Sequence, residues 1–255
     1  MANPVYLPAP LSGLQNLQSL SFMNNDGVDD GPYEAIDCYF PDNDGLQDIS
    51  NLITSNISTL QRLVLPGDQI WTLPVRVFSS LTELDIIHSS ELSGLDLVFH
   101  HAVYLQSLIL RVEDDVNIFT VMKNNSSALP CLTSFKLVSA LGCTEEHFQA
   151  VHVFIQGRPL LRRLDLGLYP IDWTTFTFIL PTIADLEGLC VLGLTIPFLI
   201  STEECVDFCR HLPNKLEAMR LRVDLSDPML DRGPLSAIVS NLSVGVSLQL
   251  LTIPL

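Results

Sequence analysis

The chain has 255 residues, with 29 acidic against 13 basic side chains and a formal net charge of −16. At 47% hydrophobic and 16% charged residues it is too apolar for a disordered acidic tail, because such segments lack the side chains that build a core. No apolar run approaches the roughly 18 residues needed to cross a bilayer, and the negative balance argues against binding nucleic acid or an anionic membrane surface.

The first residues, MANPVYLPAP, have neither the basic region nor the continuous apolar region of a secretory leader, so an intracellular setting, cytoplasmic or nuclear, is expected. Six cysteines lie at positions 38, 131, 143, 190, 205 and 209 with no CxxC pair, which fits free thiols in a reducing compartment better than a disulfide framework. Leucine fills 45 of the 255 positions, so self-similarity is the first pattern to test.

In chain order, the segments NLQSLSF, TLQRLVL, SLTELDI, YLQSLIL, CLTSFKL, LLRRLDL, GLCVLGL, KLEAMRL and SLQLLTI each fit L-x-x-L-x-L. Their first apolar residues are Leu17, Leu60, Leu81, Leu105, Leu132, Leu161, Leu189, Leu216 and Leu248, separated by 43, 21, 24, 27, 29, 28, 27 and 32 residues. The last two apolar positions stand two apart and therefore share one face of a short strand. One such strand cannot hide that face alone; stacking the units makes a parallel sheet over a continuous leucine core. The expected fold is an α/β leucine-rich-repeat solenoid, a horseshoe with a parallel inner sheet and helical outer returns, in a single domain over 1–255 of about nine repeats.

The long first gap holds NNDGVDDGPYEAIDCYFPDNDG, so 24–45 reads as an acidic loop or a degenerate repeat, followed by a helix around Leu46, Ile49, Leu52 and Ile53. Asp26, Asp30, Gly31, Glu34 and Asp37 match five positions of a calcium loop, but Val28 stands where an oxygen ligand is needed, and a solvated loop is the expectation. Four further helices are expected in the later returns. Thr144 opens one that buries Phe148, Val151 and Ile155 and stops at Gly157. Asp172 opens another over Phe176, Ile179, Leu180 and Ile183, which Pro181 must end or kink. Ser201 to Glu204 has capping-box spacing ahead of Cys205, Phe208, Cys209 and Leu212. Gly233-Pro234 opens the fourth.

The runs LQRLVL, LRRLDL and LEAMRL, with these spacings and irregular helical returns over about residues 14–253, resemble the leucine-rich repeats of fungal F-box proteins. The resemblance implies non-catalytic protein recognition, as in the substrate-selecting arm of a cullin-type ubiquitin ligase. In that family an N-terminal F-box binds the ligase adaptor. Here the first repeat begins by Leu14 and the acidic insertion lacks the F-box LP…I…L pattern, so adaptor binding is expected only if an F-box is encoded upstream. A free-standing repeat scaffold, or a fragment without a ligase role, is the alternative.

No GxSxG, HExxH, GxGxxG or phosphate-loop motif occurs, so no catalytic residue, cofactor or metal site is expected. His100-His101 is read as a short exposed turn, and Cys205 with Cys209 as core. The residues flanking the last two apolar positions of each repeat point to the other face of the sheet. On those positions lie six bases (Arg62, Arg111, Lys136, Arg163, Arg220 and Arg222) and three acids (Glu83, Asp85 and Asp165), an excess of +3 on a chain of −16. Arginine forks pair carboxylate and phosphate, so a protein partner with an acidic or phosphorylated segment is expected there. The competing arrangement has these bases only holding the three acids in cross-strand pairs.

Overall fold

A computed structural model describes residues 15–21, 50–89, 94–112, 117–170, 172–196, 201–223, 238, 240 and 250–252. The acidic 24–45 segment, the calcium-loop positions and the Gly233-Pro234 helix start lie outside the described residues, although Ile238 and Ser240 are helical and Ile238 is buried. Among the described residues, nine strands form one parallel sheet in strict chain order: β1 Ser19–Ser21, β2 Arg62–Pro66, β3 Glu83–Ser89, β4 Ser107–Val112, β5 Ser134–Cys143, β6 Arg163–Pro170, β7 Val191–Ile196, β8 Ala218–Val223 and β9 Leu250–Thr252. This is an α/β leucine-rich-repeat solenoid.

The leucine pattern sets the register. Ser19, Arg62, Glu83, Ser107, Ser134, Arg163, Val191, Ala218 and Leu250 are successive partners along the ladder, and each directly precedes the second apolar position of its repeat. A slip of one residue would turn every leucine to the wrong face. A backbone clip reinforces the stacking: the carbonyls of Gln18, Gln61, Thr82, Gln106, Thr133, Arg162 and Cys190 each accept two N–H groups from the next repeat at 2.7–3.0 Å. Beyond the leucine positions the pairing loosens, with shifts between Ile86 and Ser89 and between Val138 and Gly142.

One face of the sheet and the returns enclose a single core. The first leucine of each repeat from Leu60 to Leu216 is buried, as are the apolar pairs on β2 to β8. Each such leucine contributes roughly 1.5–3 kcal/mol relative to exposure. Each return between β2 and β8 adds at least one buried phenylalanine behind the sheet: Phe78, Phe99, Phe119, Phe148 with Phe154, Phe176 and Phe208. Phe154 ties neighbouring repeats together, its ring centroid 5.4 Å from Phe99 and 5.1 Å from Phe135.

The returns follow local chemistry. Residues 50–55 are helical with Leu52 and Ile53 buried, and Asn56 closes the first rung: its side chain accepts from Leu17 N–H at 2.9 Å and donates to the Leu52 carbonyl at 2.9 Å. The Glu145–Ile155 helix starts at Thr144, and Gly157 beyond it takes φ +69°. The Asp172 return is two helices, Trp173–Thr177 and Leu180–Asp185, with Asp172 accepting from Thr175 N–H at 2.7 Å and Pro181 sitting in the first turn of the second, where its missing donor costs nothing. Ser201 and Glu204 form the capping box of Thr202–Arg210, with reciprocal bonds of 2.7 and 3.2 Å.

Two features differ from the sequence reading. His100 and His101 end a helix, Leu95–His101, rather than forming a short turn, although both are exposed as expected. That helix follows Gly94, whose φ of +89° and backbone packed on Trp71 leave no room for a side chain. The return after β2 holds only two short 3-10 segments, Gly67–Thr72 and Val75–Val77, because 21 residues separate Leu60 from Leu81, too few for a full helix.

Candidate functional site

The sheet face turned away from the helices carries all nine charged residues expected there, from Arg62 to Arg222, through the simple alternation of the strands. In β4 the pattern is regular: Leu108, Leu110 and Val112 are buried, while Ser107, Ile109 and Arg111 are part-exposed. The face is not uniformly open. Val64, Pro66, Gly167, Gly193 and Thr195 are buried on it.

Its charges fall into two groups. On β2 to β4, Arg62 Nε lies 3.5 Å from Glu83 Oε2, and Arg111 Nη2 lies 3.3 Å from Asp85 Oδ2, so the two acids and two bases cancel. The first pair is more than half exposed on both sides and contributes little. The second is less accessible. Burial pushes the Asp85 carboxyl above its ordinary value, against the opposing pull of Arg111, Lys136 and Arg62. Asp85 Oδ1 and Arg111 Nε are buried without a hydrogen-bond partner among the described residues.

On β5 to β8 one acid faces four bases. Arg222 grips Asp165 with a two-bonded fork, Nη1 to Oδ1 at 2.7 Å and Nη2 to Oδ2 at 3.0 Å, and Lys136 Nζ stands 3.9 Å from the same carboxylate. Arg222 is on β8 and Asp165 on β6, so the fork spans the whole of β7. Only a glycine at 193 permits this. A Cβ there would lie 2.2 Å from Asp165 Oδ1, and the Asp165 side chain occupies that space. Gly167 does the same for Val138, whose methyls would be 3.1 and 3.2 Å from an added Cβ. Thr195, beside Arg222 in the ladder, is 3% exposed and its hydroxyl has no partner among the described residues.

Arg163 and Arg220 are exposed and form no ion pair among the described residues. Lys136 is held partly in reserve. Desolvation lowers its pKa, Asp165 opposes this, and the neighbouring Arg111, Arg222 and Arg220 lower it further. All three acids are held in cross-strand pairs, and an excess of positive charge is left. The excess of positive charge was readable from the sequence, whereas the fork across β7 was not: its one signal, the glycine at the second face position of β7, stood there without a partner to explain it.

Among the described residues, no group of three or more His, Cys, Asp or Glu side chains is placed to hold a metal ion. Cys205 is buried in the core and Cys209 packs against it. No described helix is long and apolar enough to cross a membrane.

No protein-family model and no curated protein matches the chain. Among solved structures, the leucine-rich repeat-containing protein LegL7 from Legionella pneumophila is similar at 12% identity and a TM-score of 0.49, covering 82% of this chain and 78% of that one. The solenoid rests on strand order, register and the buried leucines.

Proposed function

We propose that the free sheet face recognises a protein partner, without catalysis, through an acidic or phosphorylated segment laid across β5 to β8. The supporting observation is where the charge sits. Arg62, Glu83, Asp85 and Arg111 sum to zero on β2 to β4, whereas Lys136, Arg163, Arg220 and Arg222 against Asp165 leave +3 on β5 to β8. Those four strands span about 14 Å at the usual strand spacing, matching acids at alternate positions of an extended peptide. The Arg222–Asp165 fork holds the surface in shape, while Arg163, Arg220 and Lys136 are the cations left to meet the partner. Guanidinium groups suit this role because they pair carboxylate and phosphate through two bonds. Such a partner, with an intracellular setting, fits the role implied by the resemblance to F-box repeats: selection of substrates for a ubiquitin ligase.

Fluorescence anisotropy tests the face directly, using an alternating-Glu peptide, its phosphoserine counterpart and a Gln control. Binding of the two acidic peptides should weaken with salt, and Arg163→Glu with Arg220→Glu should weaken it by about tenfold, the product of two modest charge contacts. Equal binding of the Gln peptide, or an unchanged double variant, overturns the reading. The ligase role is tested separately by adaptor co-purification with the full-length gene product; recovery without adaptor leaves a free-standing recognition scaffold.

A further inference from the structure

Behind the sheet, a groove of about 600 Å³ opens between the loop after the Asn117–Asn124 helix and the end of the Glu145–Ile155 helix. Pro130, Leu132, Val153, Pro159 and Leu160 give it an apolar wall, and Leu160 is 48% exposed. Ser126, Ser127, Gln156 and Arg158 supply the polar part.

Arg158 is the unusual member. Its Nε donates to the Phe154 carbonyl, Nη1 to Leu129 O at 3.0 Å and Nη2 to Ser126 O at 3.0 Å, and its guanidinium carbon sits 4.2 Å from the centre of the Phe154 ring. These contacts fix the group without neutralising it. No carboxylate pairs with Arg158 among the described residues, and burial pulls its pKa down to about 10. Each terminal nitrogen keeps a second N–H with no acceptor among the described residues. A partly desolvated cation on rigid supports, beside an apolar wall of small-molecule size, favours an anion with an apolar body.

We propose that this groove is a second binding site, separate from the sheet face, that takes a small organic carboxylate: the carboxylate on the outer N–H groups of Arg158 and the apolar body against Pro130, Pro159 and Leu160. Arg158 itself bridges three carbonyls, so its removal could unfold the loop. The rim offers a gentler probe. Gln156 is exposed, and Gln156→Glu would place a negative charge beside the site without touching the core.

The experiment titrates the whole chain with 4-phenylbutyrate and with its uncharged amide, following the backbone amide signals of Ser127, Gln156, Gly157 and Leu160 by NMR. The acid should shift these signals at millimolar concentration and the amide should not, and Gln156→Glu should weaken the acid by about two- to fivefold, with the melting temperature lowered by no more than about 4 °C because the new carboxylate stands at a helix C-terminus. Equal response to acid and amide would reduce the groove to an apolar cleft, and no response to either would remove the site; both outcomes overturn the proposal.

Discussion

Gly193→Ala is expected to disturb the face more than its single methyl suggests. Gly193 takes an ordinary strand conformation, so backbone strain does not forbid alanine. Reducing the freedom of the unfolded chain would by itself stabilise the protein by about 0.4–1 kcal/mol. The new Cβ, however, would stand 2.2 Å from Asp165 Oδ1 and 2.7 Å from Cγ, and Asp165 is held there by the Arg222 fork. Either the fork opens or the strands part, and overpacking of this kind costs roughly 1–3 kcal/mol. For a chain of this size that is a fall in Tm of about 2–12 °C. A double-mutant cycle separates the clash from other effects. In an Asp165→Ala background the obstacle is gone, and Gly193→Ala should be neutral or stabilising there. Thermal melts followed by circular dichroism on the four proteins give the answer. An equal loss from Gly193→Ala in both backgrounds would refute the proposed packing of Asp165 over β7.

Other residues yield sharper local tests. Because burial raises the Asp85 pKa in the folded state, its stabilising contribution is full below the unfolded value and is lost as pH rises through the folded one. Asp85→Asn should therefore flatten the stability profile over that interval and raise neutral-pH stability in urea titrations; an unaltered profile counts against the desolvation argument. Burial pushes the thiols of Cys143, Cys205 and Cys209 up to about 11, so in native protein at mildly alkaline pH a thiol reagent should modify them far more slowly than the part-exposed Cys131 and Cys190, as read by mass spectrometry. Ser201→Ala removes one half of a capping box and should cost about 0.5–2 kcal/mol in the same melts.

Most of the architecture was legible because the repeat carries its own register. Once Leu63 and Leu65 are taken as inward, Arg62 and Val64 must face outward, and the same step applied to each repeat places all nine ladder partners. The Ser201–Glu204 box and the Pro181 break were readable for similarly local reasons. The Leu95–His101 helix was not, since its start depends on a left-handed Gly94 pressed against Trp71 from the preceding return. At the site, the charged residues were legible but their pairing was not. Arg222 and Asp165 stand 57 residues apart, and only the missing side chain of Gly193 lets them meet across an intervening strand. The Phe154–Arg158 contact and the carbonyls around Arg158 belong to two successive repeats, a relation that periodicity within one repeat does not carry.

The central claim is that the leucine pattern locks one in-register stack whose outward positions form a single charged face. Cysteines introduced at Ser107 and Ser134 test it most directly, because these residues are register partners on that face of β4 and β5. At the spacing of adjacent strands, roughly 4.8 Å, their Cα atoms fall within disulfide range. Mild oxidation should link Ser107→Cys to Ser134→Cys quickly, and leave Ser107→Cys paired with Phe135→Cys unlinked because Phe135 points into the core. Linkage in the second pair and none in the first would contradict the register, and with it the face on which the recognition proposal stands.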